Sequence, residues 1–138
     1  MKYLVDTNIL SEMTRKQPDN RIVEWFENTA NTDMFISVIS VGELVYGVAK
    51  LPDGTKKMKL SAWLSDLFYE NFYDRIVGIS MDVMEAWGEM SAKFMRTLPI
   101  LDTLIAATAL VNNMIVVTGN TRDFKDIPGL NFYNPREN

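Results

Sequence analysis

The spacing of apolar residues switches repeatedly between short runs and helical stripes, which predicts strands alternating with helices. Lys2 to Val5 reads as a strand, and Asp6-Thr7-Asn8 after it as a helix start, with Ile9, Leu10 and Met13 on the apolar face. Arg15 to Asn20 reads as a loop, and Ile22, Val23 and Phe26 fall at helical spacing beyond it. Met34 to Val38 is a second apolar strand. From Ser40 onward Leu44, Val48 and Leu51 mark a helix that Pro52-Asp53-Gly54 stops. A longer helix is predicted from Thr55 to Phe72, with Leu60, Trp63, Leu64, Leu67 and Phe68 on one side. Arg75 to Ile79 is a third strand. Met81, Met84, Trp87, Met90 and Phe94 form a helical stripe that we assign to core packing. Leu101 to Leu110 reads as a helix of small residues, Met114 to Val117 as a fourth strand and Leu130 to Tyr133 as a fifth. Strands alternating with helices imply an α/β chain: a single three-layer α/β/α domain around a central, mainly parallel sheet of about four or five strands.

Composition narrows the chemistry. The 138 residues suit one domain, and a 47% hydrophobic content supports a buried core. There is no Cys and no His, which removes disulfides, thiolate and Ser–His catalysis, and zinc or iron sites built on those ligands. Any bound metal must take oxygen ligands, which favours Mg²⁺ or Mn²⁺. A net charge of −4 is unusual for a nucleic-acid binder, but a cluster of metal-binding carboxylates would account for part of it. No apolar run approaches the length of a membrane span, and MKYLVDTNIL lacks the form of a signal peptide, so a cytoplasmic protein is expected.

Four acids stand out, and each has an ordinary structural explanation. Asp6 can cap the first helix. Glu43 closes a capping-box pattern opened by Ser40. Asp102 sits near a helix start, and Asp123 can stabilise a turn. Taken together they say more. Asp6, Glu43 and Asp123 each lie at or near the point where a strand runs out, and those ends share one edge of a parallel sheet. Asp102 joins them if its helix begins on that edge. Carboxylates so gathered repel one another unless divalent cations neutralise them or some stay protonated. One or two such ions would suit phosphodiester hydrolysis. Asp6 and Asp102 are then the first choice as direct ligands, Glu43 orients or deprotonates the water, and Asp123 serves a second ion or a water beside it. Thr7, Asn8, Thr118 and Asn120 are suited to fixing the carboxylates, and Asn120 is the alternative to Asp123 for completing the site.

The segments LVDTNIL, ISVISVGELVYGV, LPILDTLIAATAL and VTGNTRDF, in that order, resemble the motifs of PIN-domain nucleases, and most of all the VapC-type toxins with their FitB-like members. The resemblance runs from Lys2 to Pro135. It implies a single PIN-like nuclease domain over residues 1–135 with a short tail at 136–138, and Mg²⁺- or Mn²⁺-dependent endoribonuclease activity. It also implies a homodimer and silencing by a cognate protein antitoxin. Carried over by position, the acidic site falls on Asp6, Glu43, Asp102 and Asp123, with Thr7, Thr118 and Asn120 in support. Gly119 departs from the pattern, because relatives often carry Arg there; Asn112 and Asn113 stand where many have His and Gly. Arg122 and Lys125, beside Asp123, are the basic residues singled out for RNA contact. The helices around Val45 to Leu51 and Leu60 to Phe68 are the candidate dimer or antitoxin surface. The competing readings are a catalytically silent PIN-like interaction module and a receiver-type Mg²⁺-binding signalling domain. The latter should pair two acids after its first strand and place a Lys after its last, and neither is present.

Overall fold

The computed structural model describes residues 1–94 and 96–137. Five short strands, β1 (Tyr3–Val5), β2 (Met34–Ser37), β3 (Ile76–Val77), β4 (Ile115–Val117) and β5 (Phe132–Tyr133), form one sheet. Every pairing is parallel, and the order across the sheet is β3-β2-β1-β4-β5. Helices α1 (Thr7–Glu12) and α2 (Asn20–Glu27) follow β1, α3 (Val38–Ala49) and α4 (Thr55–Asp66) follow β2, and α5 (Met81–Ser91) and α6 (Ile100–Asn112) follow β3.

Alternation along the strands builds the layers. Val5, Ile36 and Val117 face one core, shared with Ile9, Leu10, Ile22, Leu44, Leu64 and Phe68 from α1 to α4 and the turn after it. Leu4 and Val116 face the other, with Val83, Met90, Ile105, Ala106 and Ala109 from α5 and α6. Successive strand residues point to opposite faces, so uninterrupted apolar strands are what a sheet covered on both sides requires.

Three elements differ from the sequence expectation. Helix α3 begins at Val38, with Ser37 as its cap: the Ser37 hydroxyl accepts the Ile39 N–H at 3.0 Å. The capping box expected at Ser40 therefore does not form, and Ser40 and Glu43 lie inside the helix, one turn apart. The helix expected to run from Thr55 to Phe72 leaves α-geometry at Leu67 and closes with a wide turn over Leu67–Asn71, in which Phe72 N–H reaches Leu67 O at 2.9 Å. That widening lets Leu67, Phe68 and Phe72 all enter the core. On α5 the inward face is set by Val83 and Met90, whereas Met81 and Met84 are 77% and 43% exposed. The stripe assigned to packing is thus only half buried, because Val83 fixes the rotation of the helix.

The segment set apart at 136–138 contributes two described residues, which lie in a short turn, Pro135–Glu137, bonded back onto the body; Asn138 lies outside the described residues. No helix among the described residues is long and apolar enough to cross a membrane.

Candidate active site

Strand order reverses between β1 and β4, and the cleft at the carboxyl ends of such neighbouring strands is where open parallel sheets bind ligands. Asp6 follows β1 and Thr118 follows β4, so the two stand side by side there. Asp6 is 3% exposed. Its Oδ1 accepts the Thr7 N–H at 2.8 Å, and its Oδ2 accepts the Thr118 hydroxyl at 2.8 Å and the Asn8 amide at 3.2 Å. The cap expected of Asp6 is therefore present, but only one of its oxygens serves it. Burial is the main reason its carboxyl is pushed above the usual range, and the charge of Glu43 adds to this; the three hydrogen bonds oppose it.

Glu43 reaches the same place from α3. The Thr7 hydroxyl donates to Glu43 Oε1 at 2.7 Å and lies 2.8 Å from the buried Ser40 hydroxyl. The sequence offers Ser40 only as a cap; its spacing of three from Glu43, which puts both on one helix face, is the signal that pairs them. Asp102 stands in the first turn of α6, whose start carries no side-chain cap. Its carboxyl is raised to about 7, first by burial, then by the charge of Asp6, a hydrogen bond to Asp123, and the charges of Asp123 and Glu43. Asp123 closes the set from the turn Thr121–Asp123, where the Asn120 amide donates to its Oδ2 at 2.6 Å. Asn120 thus holds Asp123, so the structure bonds together two residues that the sequence presented as alternatives. Thr118, fully buried, also accepts the Asn120 N–H at 2.9 Å.

All four acids converge, drawn from four separate segments. Among the described residues no Lys or Arg forms an ion pair with any of them. Arg122 and Lys125 are exposed and make no ion pair with Asp123 among the described residues. No three acids among the described residues form a ready-made cage for an ion. The donor set fits Mg²⁺ or Mn²⁺ nonetheless: it is all oxygen, mutually repelling and without a protein counter-cation. Mg²⁺ in particular is commonly held by one or two carboxylates, with waters and substrate phosphates completing its shell.

A cavity of about 1130 Å³ opens beside the acids and meets them at Thr7 and Glu43. Its floor includes Leu44, Val48, Leu60 and Trp63, and its rim carries Arg15, Lys16, Lys56 and Lys59. Two basic clusters far apart in sequence thus border one groove.

Comparison with known proteins identifies relatives over nearly the whole chain. The PIN domain family matches residues 3–130. The toxin FitB of Neisseria gonorrhoeae is 34% identical, over 88% of this chain and 89% of its own. Ribonuclease VapC2 of Rickettsia felis is 32% identical, over 94% of this chain and 95% of its own. Among solved structures, the crystal structure of FitAcB from Neisseria gonorrhoeae superimposes with a TM-score of 0.90 at 31% identity, covering 99% of each chain.

Proposed function

The chain belongs to the PIN-domain family, and from that premise we propose that it is an endoribonuclease using Mg²⁺ or Mn²⁺, one or two ions per site, as the toxin of a type II toxin–antitoxin pair. The observation that carries this reading is the convergence of Asp6, Glu43, Asp102 and Asp123 at the β1/β4 switch point, where burial first and the neighbouring carboxylates second raise the Asp102 carboxyl to about 7. The sheet order also sets the receiver-type reading aside, since that fold runs 2-1-3-4-5. Loss of an acid would mark the silent-module reading, and all four are present.

In this mechanism Asp6 and Asp102 would hold the cation, with Asp123 offering a place for a second. A divalent ion supplies Lewis acidity, polarising a phosphate oxygen and favouring attack by water. The rest falls to the chain. Thr118, Asn8 and the Thr7 N–H fix the orientation of Asp6. Thr7 holds Glu43 at one oxygen, leaving the other to orient the attacking water and take its proton. Asn120 keeps Asp123 turned toward Asp102. The chain acts as one domain, in the cytoplasm, where RNA is available.

A toxin must be silenced by a partner in the cell that makes it. The groove lined by Leu44, Val48, Leu60 and Trp63 suits an apolar segment of a cognate antitoxin, and its basic rim suits acidic residues on that segment. Two copies are proposed to pair through α5 and the start of α6, where Met81, Met84, Ile100 and Leu101 are exposed. Light scattering on Met84→Glu should then report a monomer where the wild type is a dimer.

The function itself is tested by incubating the purified chain with total RNA. Discrete cleavage products are expected with Mg²⁺ or Mn²⁺ and none with EDTA. Intact RNA under every metal condition would leave the silent-module reading in its place.

A further inference from the structure

Gly119 follows Thr118 at the switch point, and nothing in its backbone calls for glycine: the left-handed glycines among the described residues are Gly54 and Gly129. What marks the position is a close neighbour. A Cβ on Gly119 would stand 2.9 Å from Arg136 Nη1 and 3.5 Å from Arg136 Cζ. The guanidinium of Arg136, seventeen residues downstream by numbering, fills the volume where a side chain at 119 would begin.

That guanidinium is anchored from the other side. Its Nη2 pairs with Glu12 Oε1 at 2.8 Å, and Glu12 is 5% exposed at the end of α1. The Asp19 N–H also donates to Glu12 at 2.9 Å, and this is the main reason the Glu12 carboxyl is held below its usual range. Gly119 N–H donates to Asn8 Oδ1 at 2.9 Å, while the amide of the same Asn8 donates to Asp6. Asn134 reinforces the arrangement: its Oδ1 accepts the Arg136 N–H at 2.9 Å, and its amide reaches the Thr121 hydroxyl at 3.3 Å, on the turn that carries Asp123.

We infer that Arg136 is a positioning residue for the acid site, a wedge between Glu12 and Gly119 that fixes the loop after β4 and, through Asn8 and Asn120, the carboxylates of Asp6 and Asp123. The inference rests on the ribonuclease reading for its effect on rate, and on the contacts alone for its effect on the loop. Residue 136 lies beyond the 3–130 span of the family match. The sequence set this segment apart as a tail, whereas its side chain lies against Gly119 in the loop after β4 and its main chain is tied through Asn134 to the turn that carries Asp123.

The test is a cycle of Arg136→Ala, Gly119→Ala and the double variant, with Arg136→Lys beside them. Lysine can keep an ion pair with Glu12 but lacks the planar fork that reaches both neighbours. Amide hydrogen exchange on the metal-free protein is read first. In Arg136→Ala, Arg136→Lys and Gly119→Ala, the amides at positions 119 and 120 should exchange at least about tenfold faster, while β1 and β4 amides keep their protection. Steady-state RNA cleavage is read second: kcat should fall by about tenfold with KM nearly unchanged, and the double variant should be no worse than Arg136→Ala. Unchanged Gly119 exchange in Arg136→Ala, full kcat in Arg136→Lys, or single effects that multiply in the double variant would overturn the inference. If the wild type cleaves no RNA, the ribonuclease reading fails, and the exchange data still decide the role of Arg136 in holding the loop.

Discussion

Asp6→Asn is expected to lower metal-dependent RNA cleavage by at least about a hundredfold while the protein stays folded. Asparagine has nearly the same shape, and its remaining oxygen can still accept the Thr7 N–H at the head of α1. Its amide would then occupy the position of Oδ2, which now accepts from both Thr118 and Asn8. The Thr118 hydroxyl can rotate to accept instead, but the Asn8 amide would meet another donor. Flipping Asn8 would end its acceptance of the Gly119 N–H. Those losses are offset in stability, because the substitution removes a carboxylate whose ionisation burial already opposes. What cannot be offset is the loss of a charged oxygen ligand for a cation. Single-turnover cleavage in Mn²⁺, alongside a thermal melt, checks both halves. Wild-type cleavage by Asp6→Asn would remove Asp6 from the metal site, and collapse of the melt would show that its role is structural.

The layers of the fold were legible because their cause is local. Strands such as Leu4-Val5 and Val116-Val117 are apolar at every position, and two-sided burial is the only arrangement that accepts them. The four acids were legible for a related reason: parallel strands put their ends on one edge, so residues after β1 and β4 meet without any signal linking them in sequence. What escaped depends on three-dimensional contact. The start of α3 was misplaced because Ser37 and Ser40 are both plausible caps, and the choice follows from where β2 stops pairing with β3 at Ser37–Val77. The rotation of α5 depends on Val83 outcompeting Met81 and Met84 for the core. Glu12 and Arg136 lie 124 residues apart, and no periodicity or spacing rule relates them. Gly119 departs from the family pattern in the sequence, yet the Arg136 side chain that lies against it is visible only in space.

Asp102→Asn should make the metal-free protein more stable than the wild type at pH 8, and the gap should narrow toward pH 5. The Asp102 carboxyl is raised from 3.8 to about 7 in the folded protein by burial and by Asp6, Asp123 and Glu43. Between those values the folded state binds more protons than the unfolded chain, so stability falls as pH rises. Below the lower value both states are protonated and the effect vanishes; above the upper one it is fully developed. The full shift overstates the energy, because Asp102 is only half-buried and solvent screens part of the repulsion. A gain of about 1–2 kcal/mol at pH 8 is expected after that discount, which is several degrees in Tm for a domain of this size. Millimolar Mg²⁺ should then raise the wild-type Tm at pH 8 more than that of Asp102→Asn, since an ion bound only by the folded state stabilises it by mass action. Melts at both pH values, with EDTA and with Mg²⁺, decide the matter. A variant no more stable than the wild type at pH 8 would mean that the acids do not strain the fold. A Mg²⁺ shift equal in both proteins would mean that Asp102 does not hold the ion.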